Sequence, residues 1–476
     1  MGKKGRRISM KNQLEKLFNP DSIAILGASE DLNRIGGLTL HFLLRHGYKG
    51  RIYPVNPKYK TIRGLPCYAA ITDIPDAVDL VLIGIPRAFV FDALQQCAAK
   101  KMPFAVLFSA GYAEMGPSGR TEQEKLKDFG RRAGIRIVGP NCIGIINAHD
   151  QVASSFVSGL EMGKIVPGGM ALITQSGGIG NAILTRAQDR SIGLSCFVSS
   201  GNELDLEAAD FLEYFLNDPR TRAIALLLED LKDPRKFSRM AEKARRAGKP
   251  VLVLKVGRSE KGRLAASSHT GAMSGADSFY EALFRQRGIC RVEAIDELFE
   301  TGNLFVRLGR ATGNRAAILS TSGGTGALLA DLASDHRIEL PLPSDQTRRR
   351  LKDWTPAVSA ITNPMDITTQ FMNDPEAISV YLHAFADDRR FDLLILMLTF
   401  SSANKSAGIA ERIAVIAPSL RKPLIVCWPV GSMAGRAFQI LEKAGVPLFF
   451  QPERCLSALG RFARYGMGVR THSASA

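Results

Sequence analysis

His269 differs from the other six histidines (His41, His46, His149, His336, His383 and His472) in the company it keeps. It lies in Arg263-Leu264-Ala265-Ala266-Ser267-Ser268-His269-Thr270-Gly271-Ala272-Met273-Ser274-Gly275, where small and polar residues let a phosphate or a second domain come close. Arg258, Lys261 and Arg263 just upstream supply positive charge suited to a phosphoryl group. A histidine that attacks phosphorus needs one neutral ring nitrogen facing it and an acceptor holding the other nitrogen, which fixes the tautomer. Glu229, at the end of the apolar run Ala223–Leu228, is the candidate acceptor. Two further segments suit an anion. Ser176-Gly177-Gly178 and Ser322-Gly323-Gly324 each follow an apolar run and open helix-compatible sequence, so each offers backbone donors at a helix N-terminus.

The elements around these residues follow one pattern. Short runs rich in Ile, Leu and Val alternate with longer amphipathic stretches. The runs include Ser22–Leu26, Leu80–Ile85, Phe104–Phe108, Ile135–Val138, Met170–Ile173, Ala223–Leu228, Val251–Lys255, Ala316–Leu319, Leu393–Leu398 and Leu424–Cys427. Such runs read as strands buried on both faces of parallel sheets, which makes the chain α/β with doubly wound sheets. Ligands of such sheets bind at the carboxyl ends of the strands. Ile173-Thr174-Gln175-Ser176-Gly177-Gly178-Ile179-Gly180 and Leu319-Ser320-Thr321-Ser322-Gly323-Gly324-Thr325-Gly326 form a weak internal repeat, which implies two similar domains after an unrelated first one. Boundaries are expected near 150 and near 310, giving domains 1–150, 151–309 and 310–476.

The first domain reads as a nucleotide site. Gly27-Ala28-Ser29 follows its first strand, and Gly36-Gly37 opens the next helix. The dinucleotide fingerprint GxGxxG is absent, as is the acidic ribose ligand about 20 residues on. Strand two runs instead into Asn56-Pro57-Lys58, and a lysine there favours a ligand with an extra phosphate, such as NADP or CoA. Three later strand ends fit the same crevice: Ile85-Pro86, Ser109-Ala110-Gly111 and Gly139-Pro140-Asn141-Cys142.

That set of turns resembles the CoA-binding domain of the NDP-forming acyl-CoA synthetases. The likeness, in particular to the alpha subunit of ADP-forming acetyl-CoA synthetase, runs from about Leu17 to the last strand with the motifs in order. It implies an N-terminal Rossmann-like CoA-binding domain followed by two flavodoxin-like domains of the succinyl-CoA synthetase kind. It implies that Gly27, Ala28, Ser29, Asn56, Pro57 and Lys58 hold the nucleotide end of CoA. Pro86, Ser109, Ala110, Gly111, Asn141 and Cys142 would lie along the rest. Cys142 reads as a small buried thiol and not as a nucleophile. Ser267–Gly271 resembles the phosphohistidine loop, Glu229 matches the glutamate that stabilises that histidine, and the helices at Ser176–Gly178 and Ser322–Gly324 match the pair that point at it. The implied reaction joins a small carboxylic acid to CoA through phosphohistidine and acyl phosphate. No P-loop is present, and the chain has no room for the ATP-grasp domain of fused relatives. A separate ATP-grasp beta subunit carrying Mg²⁺ and ADP or ATP is therefore expected, in a hetero-oligomer. Asn363-Pro364-Met365-Asp366-Ile367-Thr368 also resembles a segment of the family's third domain, without an evident role.

Composition narrows the alternatives. The net charge is +16, but only 7% of residues are aromatic and none interleave with the basic clusters, so a nucleic-acid surface is not indicated. The seven cysteines show no CxxC spacing, which argues against a disulfide framework or a metal site and suits a reducing cytoplasm. No apolar run has the length of a membrane span. A non-catalytic CoA sensor is disfavoured by the intact His269, Glu229 and both Ser-Gly-Gly turns. An NADP-dependent oxidoreductase is disfavoured by the missing fingerprint.

Overall fold

The computed structural model describes residues 10–270, 275–355, 360–368 and 376–473, with backbone alone at 10–13, 267–270, 403–404 and 468–473. The chain divides into two compact units, Met1–Leu298 and Phe299–Ala476.

Unit 1 carries two large sheets beside the small antiparallel pair Thr61–Ile62 and Leu65–Pro66. The first runs Arg51–Val55, Ser22–Leu26, Leu80–Ile83, Phe104–Leu107, Arg136–Val138, all parallel. Counted along the chain this is the order 2-1-3-4-5, a Rossmann-like sheet lacking the outer third strand. Its central strands are buried along their whole length, as Leu80–Ile83 and Phe104–Leu107 show, and this is why they read as unbroken apolar runs. The second sheet contains a parallel set of the same order: Leu194–Ser199, Pro167–Thr174, Ala223–Leu228, Val251–Lys255, Cys290–Val292. An antiparallel hairpin, Gly144–Asn147 with Val152–Ser155, extends it beyond Leu194–Ser199. The polar stretch 148–151, read from sequence as a boundary, is the turn of that hairpin.

The two sheets of unit 1 share one core. The N-terminal helix Met10–Phe18 supplies Leu14, Leu17 and Phe18, all fully buried. Phe18 stacks on Tyr214 at 4.3 Å and meets Phe215 edge-on at 5.3 Å. Both partners belong to the helix Ala208–Asn217, whose apolar face points inward.

Unit 2 repeats the plan once more. Its strands run Met365–Asp366, Ala316–Ser320, Leu393–Met397, Leu424–Cys427, Leu448–Phe449, all parallel and again in the order 2-1-3-4-5. The buried Trp428 donates its indole N–H to Phe400 O at 2.8 Å, so the largest core side chain carries no unpaired donor. The fold is thus α/β throughout, and the first sheet shares with the other two a strand order that its sequence does not announce.

Phe18→Ala should cost unit 1 about 3–5 kcal/mol, because it empties a fully buried aromatic site. A denaturant titration followed by tyrosine fluorescence checks this. The expected result is an earlier transition of unit 1 beside an unchanged transition of unit 2.

Candidate functional site

Each sheet changes direction between its first and third strands, and the loops that leave those two strands diverge and leave a crevice at the carboxyl edge. In the first sheet these loops begin at Gly27 and Gly84. Gly27 N donates to Val55 O at 3.0 Å, and Gly84 N donates to Leu26 O at 3.0 Å. Gly27 has φ +88°, and a Cβ on it would lie 2.6 Å from Gly84 O. At Gly36, in the first turn of the helix Ile35–His46, a Cβ would lie 2.0 Å from Gly27 O. Glycine is therefore needed for the helix to close on the strand end.

The crevice is about 440 Å³ and is lined by Gly27, Ser29, Asn56, Lys58, Pro86 and Ser109, with Arg34 and Tyr59 beside them. Asn56 holds its floor: Nδ2 donates to Ala28 O at 2.8 Å, and Oδ1 accepts Lys58 N at 3.0 Å. Ser109 Oγ donates to Ile85 O at 2.6 Å. Ala28 is fully buried beneath the turn. Pro57 and Ala110 are exposed outside this lining. Gly111 accepts a hydrogen bond from Arg87 and donates to Glu114. Asn141 takes the left-handed conformation at φ 57°, and its N–H donates to Ser109 O at 3.0 Å. Cys142 is buried against Leu107 O, and burial pushes its thiol up to about 12, which leaves it a packing group. Arg34 was missed in the sequence because no turn motif marks it.

The second crevice lies in the same unit. Strand Pro167–Thr174 passes through Gln175 to Ser176, which caps the helix Gly177–Asp189. The neighbouring strand Ala223–Leu228 ends at Glu229, which is 8% exposed. The side chain of Gln175 joins the two: Oε1 accepts Glu229 N at 2.6 Å and Asp230 N at 3.0 Å, while Nε2 donates to Asp230 O at 2.7 Å. One strand further, the buried Lys255 donates to Glu229 O at 2.7 Å and lies 4.5 Å from the centre of the Tyr280 ring. Tyr280 OH donates to Asp230 Oδ1 at 2.6 Å. Burial pulls the Lys255 ammonium below the usual lysine range. The sequence offered Gln175 and Lys255 only as parts of a turn and a strand, and did not mark Tyr280.

Strands Ala223–Leu228 and Val251–Lys255 are adjacent, with Leu228 opposite Lys255. Beyond Lys255 the helix Glu260–Thr270 begins, its first turn secured by Gly262 N donating to Ser259 Oγ at 3.0 Å. Where the sequence suggested a polar loop, this helix continues through His269, whose backbone lies in its last turn. The side chain of His269 and residues 271–274 lie outside the described residues. Arg258, expected to serve a phosphoryl group, pairs with Glu293.

The Ser176–Gly178 turn packs beside the Gly139–Cys142 turn. A Cβ on Gly177 would lie 2.8 Å from Ile143 Cγ2, the residue after Cys142. In unit 2, Ser322 stands at the same place before the helix Gly323–Asp335, also with extended backbone. Thr174 Oγ1 donates to Ser176 O at 2.7 Å, and Ser320 Oγ donates to Ser322 O at 2.8 Å. The segment without an evident role acquires a structural one. Asn363 Oδ1 accepts Ile318 N at 2.9 Å and Nδ2 donates to Ala316 O at 2.8 Å, so its amide extends the ladder beside the first strand.

Comparison with known proteins agrees with this layout. Residues 21–148 match the model of a CoA binding domain, and residues 167–305 match that of a succinyl-CoA ligase like flavodoxin domain. The chain is 34% identical over 451 residues to the Acetate--CoA ligase [ADP-forming] II subunit alpha of Pyrococcus furiosus, covering 94% of this chain and 96% of that subunit. It is 35% identical over 454 residues to Acetate--CoA ligase [ADP-forming] I of Archaeoglobus fulgidus, where it spans 64% of the relative and 95% of itself. A solved structure of Candidatus Korarchaeum cryptofilum dinucleotide forming acetyl-coenzyme A synthetase 1, in complex with phosphate and ADP, matches with a TM-score of 0.89 at 31% identity, covering 97% of this chain and 98% of that one. A CoA binding domain followed by a succinyl-CoA ligase like flavodoxin domain places the chain in the CoA ligase class of protein. The chain belongs to the ADP-forming acetate–CoA ligase family, with the extent of its alpha subunits. No helix among the described residues is long and apolar enough to cross a membrane.

Gln175→Ala leaves two main-chain N–H groups at Glu229 and Asp230 without their acceptor. The expected cost is about 1–3 kcal/mol for each group that stays dry. Thermal unfolding of the variant measures the loss, and Gln175→Glu, which keeps the acceptor but turns a carboxylate oxygen toward Asp230 O and the Glu203 carboxyl group, should recover little of it.

Proposed function

We propose that this chain is the CoA-binding, phosphohistidine-carrying half of an ADP-forming acid–CoA ligase, with His269 as the carrier. What supports this reading is that, within unit 1, the Gly177 end of the Ser176–Gly178 turn packs on Ile143, the residue after Cys142, while the crevice at Gly27 and Lys58 opens on the first sheet. In this reading Lys58 and the N–H groups around Gly27 take the nucleotide end of CoA. The thioester end runs past Ser109 and Asn141 toward Ser176–Gly178. Glu229 accepts the N–H of one ring nitrogen of His269 and keeps the other free to bond phosphorus.

The chemistry in the synthetic direction has two steps here. A carboxylate oxygen of the acid attacks the phosphorus of phosphohistidine; the P–N bond breaks, and acyl phosphate forms. The sulfur of CoA, having lost its proton, then attacks the acyl carbon, and inorganic phosphate leaves. The protein contributes position and charge: within unit 1 the helix N-terminus at Gly177 presents the equivalent of about half a positive charge to an anion. Phosphohistidine is restored from ATP on a second protein, an ATP-grasp beta subunit that also carries Mg²⁺. The alpha-subunit extent of this chain, and its 64% span of a relative in one piece, support that division. Cytoplasmic operation as a hetero-oligomer follows from it.

The test incubates the chain with a panel of acyl-CoAs and inorganic phosphate, and reads intact mass and ³¹P spectra. Wild type should gain one acid-labile, base-stable phosphoryl group with the cognate thioester, and His269→Ala should gain none. An adduct that survives in His269→Ala would overturn the assignment. Full turnover with Mg-ATP by the purified chain alone would remove the partner. In calorimetry, Lys58→Ala should weaken CoA by about tenfold, or 1.4 kcal/mol, and flatten the salt dependence of binding.

A further inference from the structure

The loop that follows strand Leu194–Ser199 bonds to the Gly139–Cys142 turn of the first sheet and to the end of strand Pro167–Thr174 in the second. Toward the first sheet, Asn202 N donates to Pro140 O at 3.0 Å and Leu204 N to Gly139 O at 2.9 Å. Asn202 Nδ2 reaches Gln123 Oε1 at 3.0 Å and Glu114 Oε2 at 2.5 Å. Toward the second sheet, Ser200 N donates to Thr174 O at 2.8 Å. Between these two sets of bonds lies Glu203. Its backbone is left-handed at φ 56°, and the residue is 6% exposed. Oε1 accepts Ser200 Oγ at 2.8 Å and Ala208 N at 3.0 Å. Oε2 is buried without a hydrogen-bond partner, and the Gln175 amide lies beside the carboxyl group.

Neither the fold nor packing alone asks for an acid here. A left-handed position favours glycine or asparagine, and a buried carboxyl group with one idle oxygen is costly. We propose that Glu203 is a positioning residue that holds the Thr174–Gly178 turn in register with the Gly139–Cys142 turn, so that the phosphoryl and CoA ends of the site keep a fixed spacing. Its importance for turnover rests on the reading given above; its effect on the two turns does not.

The protonation state of Glu203 is part of this device. Burial pushes its carboxyl group up to about 7. Ser200, Lys232 and Gln175 pull in the opposite direction, while the charge of Glu207 adds to the rise. Glu207 is itself paired with Lys236, which also binds Asp210, and Glu114 faces the loop through Asn202. Near neutral pH the group therefore moves between a neutral acid, with a hydrogen on an otherwise dry carboxyl group, and a buried anion. The sign follows from linkage. A carboxyl group whose folded value lies above its unfolded value of 4.5 gives stability that is present at low pH and lost as pH rises to about 7.

The test is amide hydrogen exchange on the full chain for wild type, Glu203→Gln and Glu203→Ala at about pH 6 and about pH 8, corrected for intrinsic rates. Glu203→Ala should speed exchange by about tenfold in peptides covering both 137–144 and 172–180. Glu203→Gln should exchange more slowly than wild type at both values, with the larger gap at the higher pH. Faster exchange confined to 199–208 in the alanine variant would overturn the proposal, as would an equal pH dependence in wild type and the glutamine variant. If the alanine variant does not fold, the pH comparison with glutamine decides alone. Phosphoryl labelling from acyl-CoA and phosphate is the second arm, in which Glu203→Ala should slow labelling about tenfold. Absence of labelling in wild type would count against the phosphohistidine reading, and the exchange result would still decide the role of Glu203.

Discussion

The hydrogen-bond ladder of a parallel sheet stops at its carboxyl edge, and the first residues beyond it must find other partners or face water. Where strand order reverses, those residues also face a crevice, so whatever satisfies them shapes a ligand site. This chain meets the condition three times with one strand order. In the first sheet, Gly27 and Gly84 solve it by bringing bare backbone together, which leaves room for a large anion. In the second, a glutamine side chain spans the gap and fixes a carboxylate-bearing residue at its rim. In unit 2, two hydroxyls meet across it, Thr321 and Thr399, 2.9 Å apart.

The second crevice shows why such edges use complete polar networks. Glu229, Lys255 and the ring of Tyr280 are all buried, and a dry ammonium or carboxylate without partners would be prohibitive. Lys255 satisfies two main-chain carbonyls, Glu229 O and Val256 O, and lies against the electron-rich face of Tyr280. Tyr280 in turn binds Asp230, whose main chain is held by Gln175. Each member fixes the next, so the Glu229 backbone is held from both neighbouring strands. Catalytic groups placed on such an edge keep their geometry without help from the ligand.

The α/β class was legible because buried parallel strands are continuous apolar runs, and all ten runs singled out contain strands. Strands that lack such runs, such as Leu194–Ser199 with its serines and cysteine, were not, because their burial depends on tertiary neighbours. The common strand order of the three sheets was hidden for the same reason: Gly27-Ala28-Ser29 and Ser176-Gly177-Gly178 answer one topological demand with different chemistry. The turn residues were visible through glycine and serine. Gln175, Lys255 and Glu203 were not, since a polar residue beside a strand end looks like surface until the fold buries it. At His269 the small residues suggested a loop, yet alanine and the flanking residues carry enough helix propensity to extend Glu260–Thr270 through it.

The two Ser-Gly-Gly turns, alike in sequence, are not alike in what stands beside them. At Ser176 an apolar side chain packs on the first helical residue: a Cβ on Gly177 would lie 2.8 Å from Ile143 Cγ2. At Ser322 a carboxylate stands nearby, since a Cβ on Gly323 would lie 3.2 Å from Asp366 Oδ2. A negative side chain at a helix N-terminus is itself favourable and answers part of the positive end that a phosphate would otherwise use. The Asp366 carboxylate is held there by Thr368 N, which donates to Oδ1 at 2.8 Å in an Asx-type turn. The first helical glycine thus meets an apolar side chain in unit 1 and a carboxylate in unit 2, so two turns of one sequence pattern stand in different surroundings.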